Sequence, residues 1–265
     1  MTEPKLYKAT LLLVATNKYK DFVRPLLESV RDYFFVNNDI EICLFTDEPD
    51  YFNNYLEELN VNARDNNYLY HISPRFNIKT ISIPSYGWPA ATLLRYKLFH
   101  SCNKEITGES VWYSDVDMRF VGPVGYEILP DLTERVTAVC HPGFYMTNSG
   151  SWCTDPKSTA YTMDGNRHKY YAGGFQGGLR EDYLRACEIM SKRIDEDTEN
   201  NVKAEHNDES HWNRYVSERM NFKTLSPTFC MVEQLHLREE WQIQNLEVKI
   251  IALNKNHEEI RGLKL

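Results

Sequence analysis

The 265-residue chain is 42% hydrophobic and 26% charged, with 12 Gly and 11 Pro, which excludes collagen-like, linker-like and disordered material and allows a sizeable core. Thirty Lys and Arg against 38 Asp and Glu give a net charge of -8, and no basic block interleaved with aromatics could track a nucleic acid. The acidic excess opposes anionic ligands, so a phosphate-bearing substrate would need local cations or a bound metal.

Residues 9–15, A-T-L-L-L-V-A, are a continuous apolar run that predicts a strand covered on both faces. Phe22, Leu26, Val30 and Tyr33 recur at helical spacing and predict a helix over 21–35, and residues 41–46 predict the next strand. Strand, helix and strand in that order call for a parallel pair with a right-handed crossover, the opening of a doubly wound nucleotide-binding half. Further strands are expected over 68–72 and 78–83, then a helix over 89–102 with Ala91, Leu94, Leu98 and Cys102 on its buried stripe. A brief strand over 111–114 runs into Asp115-Val116-Asp117. A strand over 135–140, a glycine-rich segment over 170–178 and helices over 180–194 and 208–220 complete one α/β domain with two halves.

The six cysteines contain no C-x-x-C pair and read as buried free thiols. With no signal peptide, spanning apolar run or N-x-[ST] sequon in the sequence, the expectation is a soluble protein of a reducing, cytoplasmic compartment.

Asp115 and Asp117 stand where a buried strand runs out, the edge at which open α/β sheets bind ligands. On extended backbone, alternate carboxylates point the same way and can converge on Mn²⁺ or Mg²⁺, which in turn holds a diphosphate. Taken alone, D-x-D is more often a solvated turn, and Met118-Arg119 does not follow the pattern of a haloacid-dehalogenase-type phosphatase. Glu209 opens a predicted helix and shares a face with Trp212 and Val216, so its carboxylate can point inward, although acids at helix N-termini are also ordinary decoration. His206 and His211 are five apart, which does not match the H-E-x-x-H zinc spacing. Tyr170 to Gly178 holds four glycines in six positions, either a tight loop packed on the sheet or a close approach to a ligand. The C-terminal stretch 254–265 lacks hydrophobic periodicity, and such ends are usually mobile. Folded over a diphosphate, it would bring Lys255 and Arg261 to the leaving group as a lid.

The runs His141-Pro142-Gly143-Phe144-Tyr145, Tyr113 to Met118, Tyr170 to Gly178, Asn207 to His211 and Lys255-Asn256-His257 occur in the order and approximate spacing of glycosyltransferase family 6. This resemblance to the family of the blood-group A and B transferases and α-1,3-galactosyltransferase covers about Val14 to Arg261. It implies a GT-A type fold, a mixed, mostly parallel central sheet with a Rossmann-like nucleotide-binding half. It also implies retaining transfer of N-acetylgalactosamine or galactose from a UDP conjugate to the 3-hydroxyl of a galactoside, with α linkage. By position, Ala15, Thr16 and Tyr19 would cradle the uridine and Arg95 would contact the donor. Asp115, Val116 and Asp117 would hold donor and metal, with Mn²⁺ or Mg²⁺ as the cofactor on the two aspartates. Ala172, Gly173 and Gly174 match the donor-selecting segment, whose small residues favour an acetamido group. Asp208 would touch the donor sugar and Glu209 would be the catalytic glutamate, as covalent nucleophile or electrostatic partner of an oxocarbenium-like state. Lys255, His257 and Arg261 would form the closing tail, and His141, His206 and Glu209 the acceptor side. His206, Asn207 and Val232 depart from the animal pattern, which puts a blood-group H acceptor in doubt, and the animal membrane anchor has no counterpart, which suggests a soluble microbial or viral version. The alternative is a nucleotide-sugar- or carbohydrate-binding protein of the same fold without turnover.

Overall fold

β1, Lys8–Ala15, is the centre from which the rest is built. Ala9, Leu11, Leu13 and Ala15 turn to one side of the sheet and Leu12 and Val14 to the other, as the two-residue strand period requires. Both sides are covered, which is why the run is uniformly apolar, each buried leucine contributing about 1.5–3 kcal/mol. The computed structural model describes residues 7–52, Tyr55 and 76–261. The strand expected over 68–72 lies outside the described residues.

A 3₁₀ turn, Asn17–Phe22, and helix α1, Val23–Tyr33, lead from β1 to β2, Asp39–Thr46. β3, Phe76–Ser82, helix α2, Ala90–Ser101, and β4, Ser110–Ser114, follow. β3, β2, β1 and β4 lie side by side and parallel, so the loops after β1, β2, β3 and β4 gather on one edge. This is the predicted nucleotide-binding half.

β5, Met118–Phe120, and β6, Val136–Cys140, come next, then β7, Tyr171–Leu179, and helix α3, Arg180–Glu199. Helix α4, Asn207–Ser217, and β8, Lys223–Leu225, follow them. The seven-stranded sheet has the order β3-β2-β1-β4-β7-β6-β8, with β7 antiparallel to both neighbours. The glycine-rich segment is therefore a central strand, and the tight-loop reading is corrected. Its glycines answer a packing need: a Cβ on Gly177 would sit 2.4 Å from the Val111 carbonyl and 2.5 Å from the Trp112 ring. Opposite β6 the register jumps from Ala138↔Gln176 to Val139↔Ala172, so residues 173–175 bulge away from the β6 ladder while Phe175 still pairs with Ser114 on β4.

A second sheet orders β5, β10 (Ile250–Ala252) and β9 (Met231–Val232), with helix α5, Leu235–Glu240, beside it. It returns the chain beneath Asp117, whose carbonyl accepts from Leu253 N at 2.8 Å. The chain then closes with α6, His257–Arg261, a single turn in the predicted tail. All six cysteines are free, five buried and Cys102 half-buried. Among the described residues no helix is long and apolar enough to cross a membrane.

Candidate active site

The loops at the C-terminal edge of the parallel strands are tied together before any ligand is considered. Asn17 takes φ +56°, its backbone N–H donates to Asp47, its Nδ2 donates to the Tyr86 carbonyl at 3.1 Å, and its Oδ1 accepts from Ser85. Thr16 Oγ1 donates to the same carbonyl at 3.0 Å. The resulting cavity of about 450 Å³ is walled by Val14, Thr16, Tyr19, Trp88, Val116 and Asp117, among others, and the tail closes its far side with Lys255 and Arg261. Ala15, expected beside Thr16 and Tyr19 at the uridine, is fully buried in the core and is not among the residues that line this cavity.

Asp115 is the wall common to this cavity and two others. One, of about 400 Å³, includes Arg95, Gly173, Gly174, His206, Asp208 and Glu209. The other, of about 270 Å³, includes His141, Ala172, Glu209, Val232, Lys255 and His257. The three form one cleft, with Asp115 at the meeting point and Glu209 shared by the second and third. His141 and His206 thus fall on different sides of Glu209. Burial, then the neighbouring His206, pushes His141 down to about 4, so it is neutral near pH 7.

Asp115, Asp117, Asp208 and Glu209 all line the cleft, and Arg95 and Lys255 pair with the three aspartates. Arg95, projecting from α2, is 2% exposed and pairs with Asp208 and, at 3.4 Å, with Asp115. Its guanidinium lies 4.1 Å from the Tyr113 ring centroid, and the Tyr113 hydroxyl donates to Asp115. Burial disfavours the charge on Arg95, but Asp208 leads the neighbours that hold its pKa well above the ordinary value. Burial pushes Asp208 up to about 6 despite that partner. Lys255 reaches back from the tail to Asp117 and stands 5.2 Å from the Tyr19 ring centroid. Its burial, opposed by Asp115 and reinforced by Arg261, lowers its pKa to about 8.

Glu209 sits in the first turn of α4, entered through Asn207 at φ +49°. One carboxylate oxygen accepts from Gly173 N and the other from the Tyr170 hydroxyl, each at 2.8 Å. Burial raises its pKa above the usual carboxylate range while those two donors pull the other way. Tyr170 is held edge-on by Phe144 and Trp152, with ring centroids at 5.3 and 5.2 Å. Asn213 anchors the helix, its amide bonding both the N–H and the carbonyl of Tyr171 at 2.8 Å. Sequence reasoning assigned no role to Tyr113, Trp88 or Asn213, nor one to Tyr170 beyond its segment. Asn213, four residues after Glu209 on one helix face, was the available signal.

Asp115 to Asp117 is a turn beyond β4 rather than a continuation of the extended strand, yet both carboxylates border the first and third cavities. Their oxygens suit a hard divalent cation. No cluster of three or more His, Cys, Asp or Glu that could hold a metal occurs among the described residues.

The glycosyltransferase family 6 model matches residues 5–262. The chain belongs to that family. Its sheet is of the GT-A type, and glycosyl transfer is the activity its relatives share. The rat (Rattus norvegicus) histo-blood group ABO system transferase 1 is 28% identical over 258 residues, 95% of this chain and 68% of the relative. The chicken (Gallus gallus) globoside alpha-1,3-N-acetylgalactosaminyltransferase 1 is 24% identical over 254 residues, 94% and 67% of the two chains. The Escherichia coli O-antigen biosynthesis glycosyltransferase WbnI is 24% identical over 256 residues, 95% of this chain and 97% of its own. The family member described here thus keeps nearly the whole length of that bacterial relative.

Proposed function

We propose that this chain is a metal-dependent, retaining glycosyltransferase that moves N-acetylgalactosamine, or galactose, from a UDP conjugate to the 3-hydroxyl of a galactoside with α linkage. The observation that carries the reading is the meeting of three cavities at Asp115, with Glu209 between the second and the third. On this reading the nucleotide takes the first, the donor sugar the second and the acceptor the third.

Breaking the anomeric bond leaves positive charge on the sugar and negative charge on UDP. Glu209 answers the first charge, its carboxylate oriented by Gly173 and Tyr170. Lys255 and Arg261 answer the second from the tail. Asp115 and Asp117 would hold the divalent ion, which when bound supplies further positive charge to the diphosphate. Lys255 would then turn from Asp117 toward the phosphates. Asp208 and Arg95 orient the sugar hydroxyls, and the buried pair keeps both groups charged for that purpose. A Cβ on Gly173 would lie 3.2 Å from the Glu209 Cβ, and one on Gly174 3.1 Å from Asp115 Oδ2. Leaving both positions bare gives the sugar pocket its depth and favours the N-acetylated donor. His141 and the apolar Val232 flank the acceptor cavity, while His206 borders the donor side.

UDP release from UDP-N-acetylgalactosamine and UDP-galactose, with Mn²⁺ or chelator and a panel of galactosides, tests the reading. Release is expected with the first donor above the second, and chelation is expected to lower it by about 10²-fold or more. Absence of release in every combination would replace the reading with that of a binding protein of this fold.

A further inference from the structure

The bulge in β7 is the hub of the cleft. Gly173 N–H donates to Glu209, the Gly173 carbonyl accepts from Arg95 Nη2 at 3.0 Å, and the Gly174 carbonyl accepts from Asp115 N at 2.8 Å. Three of the groups assigned to donor chemistry therefore take their position from two glycines, the residues with the greatest backbone freedom. Something has to keep that bulge in one conformation.

Gln176 stands at the base of the bulge, fully buried, and borders none of the three cavities. Its Nε2 donates to the Gly173 carbonyl at 3.0 Å and to the Tyr96 hydroxyl at 3.2 Å. It pairs with Ala138 on β6 and Tyr113 on β4, so its own backbone lies in regular ladder on both sides. A fully buried amide in mid-sheet is unfavourable unless its bonds are used, and an apolar side chain would fill the same space without that burden. Arg95 also reaches the Gly173 carbonyl, but it is shared with Asp208 and Asp115 and faces the sugar cavity. Among the described residues Gln176 is the uncharged partner of that carbonyl, and it has no exposure to ligand.

We propose that Gln176 is a positioning residue for glycosyl transfer, clamping the Gly173 carbonyl so that the Gly173 N–H presents Glu209 in its working orientation. The inference rests on the transferase reading of the cleft and adds to it a residue that touches no substrate.

The test is Gln176→Leu, with Gln176→Met as the second variant should the first not fold. Amide hydrogen exchange by NMR reads the clamp without any substrate, and kcat set against the Kd for UDP reads its effect on chemistry. Exchange at Gly173 is expected to quicken by about tenfold or more while the stretch 175–179 paired with β4 keeps its rates. Turnover is expected to fall by about 10- to 100-fold, the consequence of misplacing one oriented group, with UDP affinity unchanged. Unchanged exchange at Gly173, loss of protection along all of β7, or unaltered kcat would each overturn the proposal. Failure of the wild-type protein to turn over any sugar nucleotide would instead remove the transferase reading, and Gly173 exchange would still decide whether the clamp exists.

Discussion

Two glutamates mark opposite ends of the sheet, Glu41 buried and Glu209 only half-buried, open to the cleft. Glu41, in β2, is 1% exposed and accepts from Thr10 Oγ1 at 2.7 Å, Thr107 N at 2.8 Å, and Thr107 Oγ1 and Lys79 Nζ, each at 2.9 Å. Burial pushes its pKa up, but the Thr107 amide, Lys79 and the two hydroxyls outweigh that and bring it down to about 2. Glu209 has two neutral donors and no cation within ion-pair distance among the described residues, and burial wins. A carboxylate surrounded by its own partners is finished as structure. One left under-compensated beside a cavity still has charge to offer a ligand.

The largest effect is expected at the under-compensated end. Glu209→Gln keeps the Gly173 bond through its amide oxygen and can donate its N–H₂ to a Tyr170 hydroxyl turned to accept, so the main loss is the charge, and kcat should fall by about 10³-fold or more with a small change in melting behaviour. A variant within tenfold of wild type would show that the carboxylate's charge is not used, and the contrast with Glu41 would lose its meaning. Lys255→Met comes next. On the proposed reading it removes leaving-group stabilisation, so kcat/KM for the donor should drop by about 10- to 100-fold. It also frees Asp117 of its resident cation, so Mn²⁺ binding without nucleotide, followed by electron paramagnetic resonance, should tighten. Loss of turnover with unchanged metal affinity would confine Lys255 to the diphosphate.

Much of this division was legible in the sequence, and the reason is side-chain period. The run 9–15 is apolar at every position because both faces of β1 are covered, and D-V-D announces itself by following a buried strand. β7 escaped because glycines carry no hydrophobic signal, its burial being supplied by Trp112 and Phe175, whose rings stack at 5.7 Å. β5, β9 and β10 are two or three residues long, too short to show any period. The roles of Tyr170 and Arg95 depend on partners 39 and 78 positions away, which spacing along the chain does not encode. Glu41 looks in sequence like any polar residue at the start of a strand. Nothing local distinguishes its full set of partners from the incomplete set at Glu209.

The comparison also sets a pH dependence of smaller size. On the proposed reading, Asp208, pushed up to about 6 by burial, must be ionised to hold the sugar with Arg95, and Glu209, raised in the same direction, must be ionised to answer the sugar's positive charge. Activity is therefore present above that range and lost as pH falls through it. The acid limb of kcat/KM for the donor should bend near pH 6 and steepen to about tenfold per pH unit once a single proton controls it. A limb that bends only near pH 4 would mean that neither carboxylate is perturbed in the working enzyme.

The smallest effect on turnover is expected where the burial is deepest. Glu41→Gln replaces an acceptor for four donors with a group that presents an amide N–H₂ to some of them, so it leaves buried donors without partners. Folding stability should fall by about 3 kcal/mol, read from urea unfolding, while kcat of the folded protein stays within about twofold of wild type. The sign of the pH effect follows from the depressed pKa. In wild type the contribution is complete above the ordinary glutamate pKa of 4.5 and is lost as pH falls toward about 2, so the stability gap between variant and wild type should narrow across that interval. If the variant instead lost turnover at full stability, the far end of the sheet would be coupled to the cleft, and a carboxylate's local partners would no longer suffice to tell scaffold from chemistry.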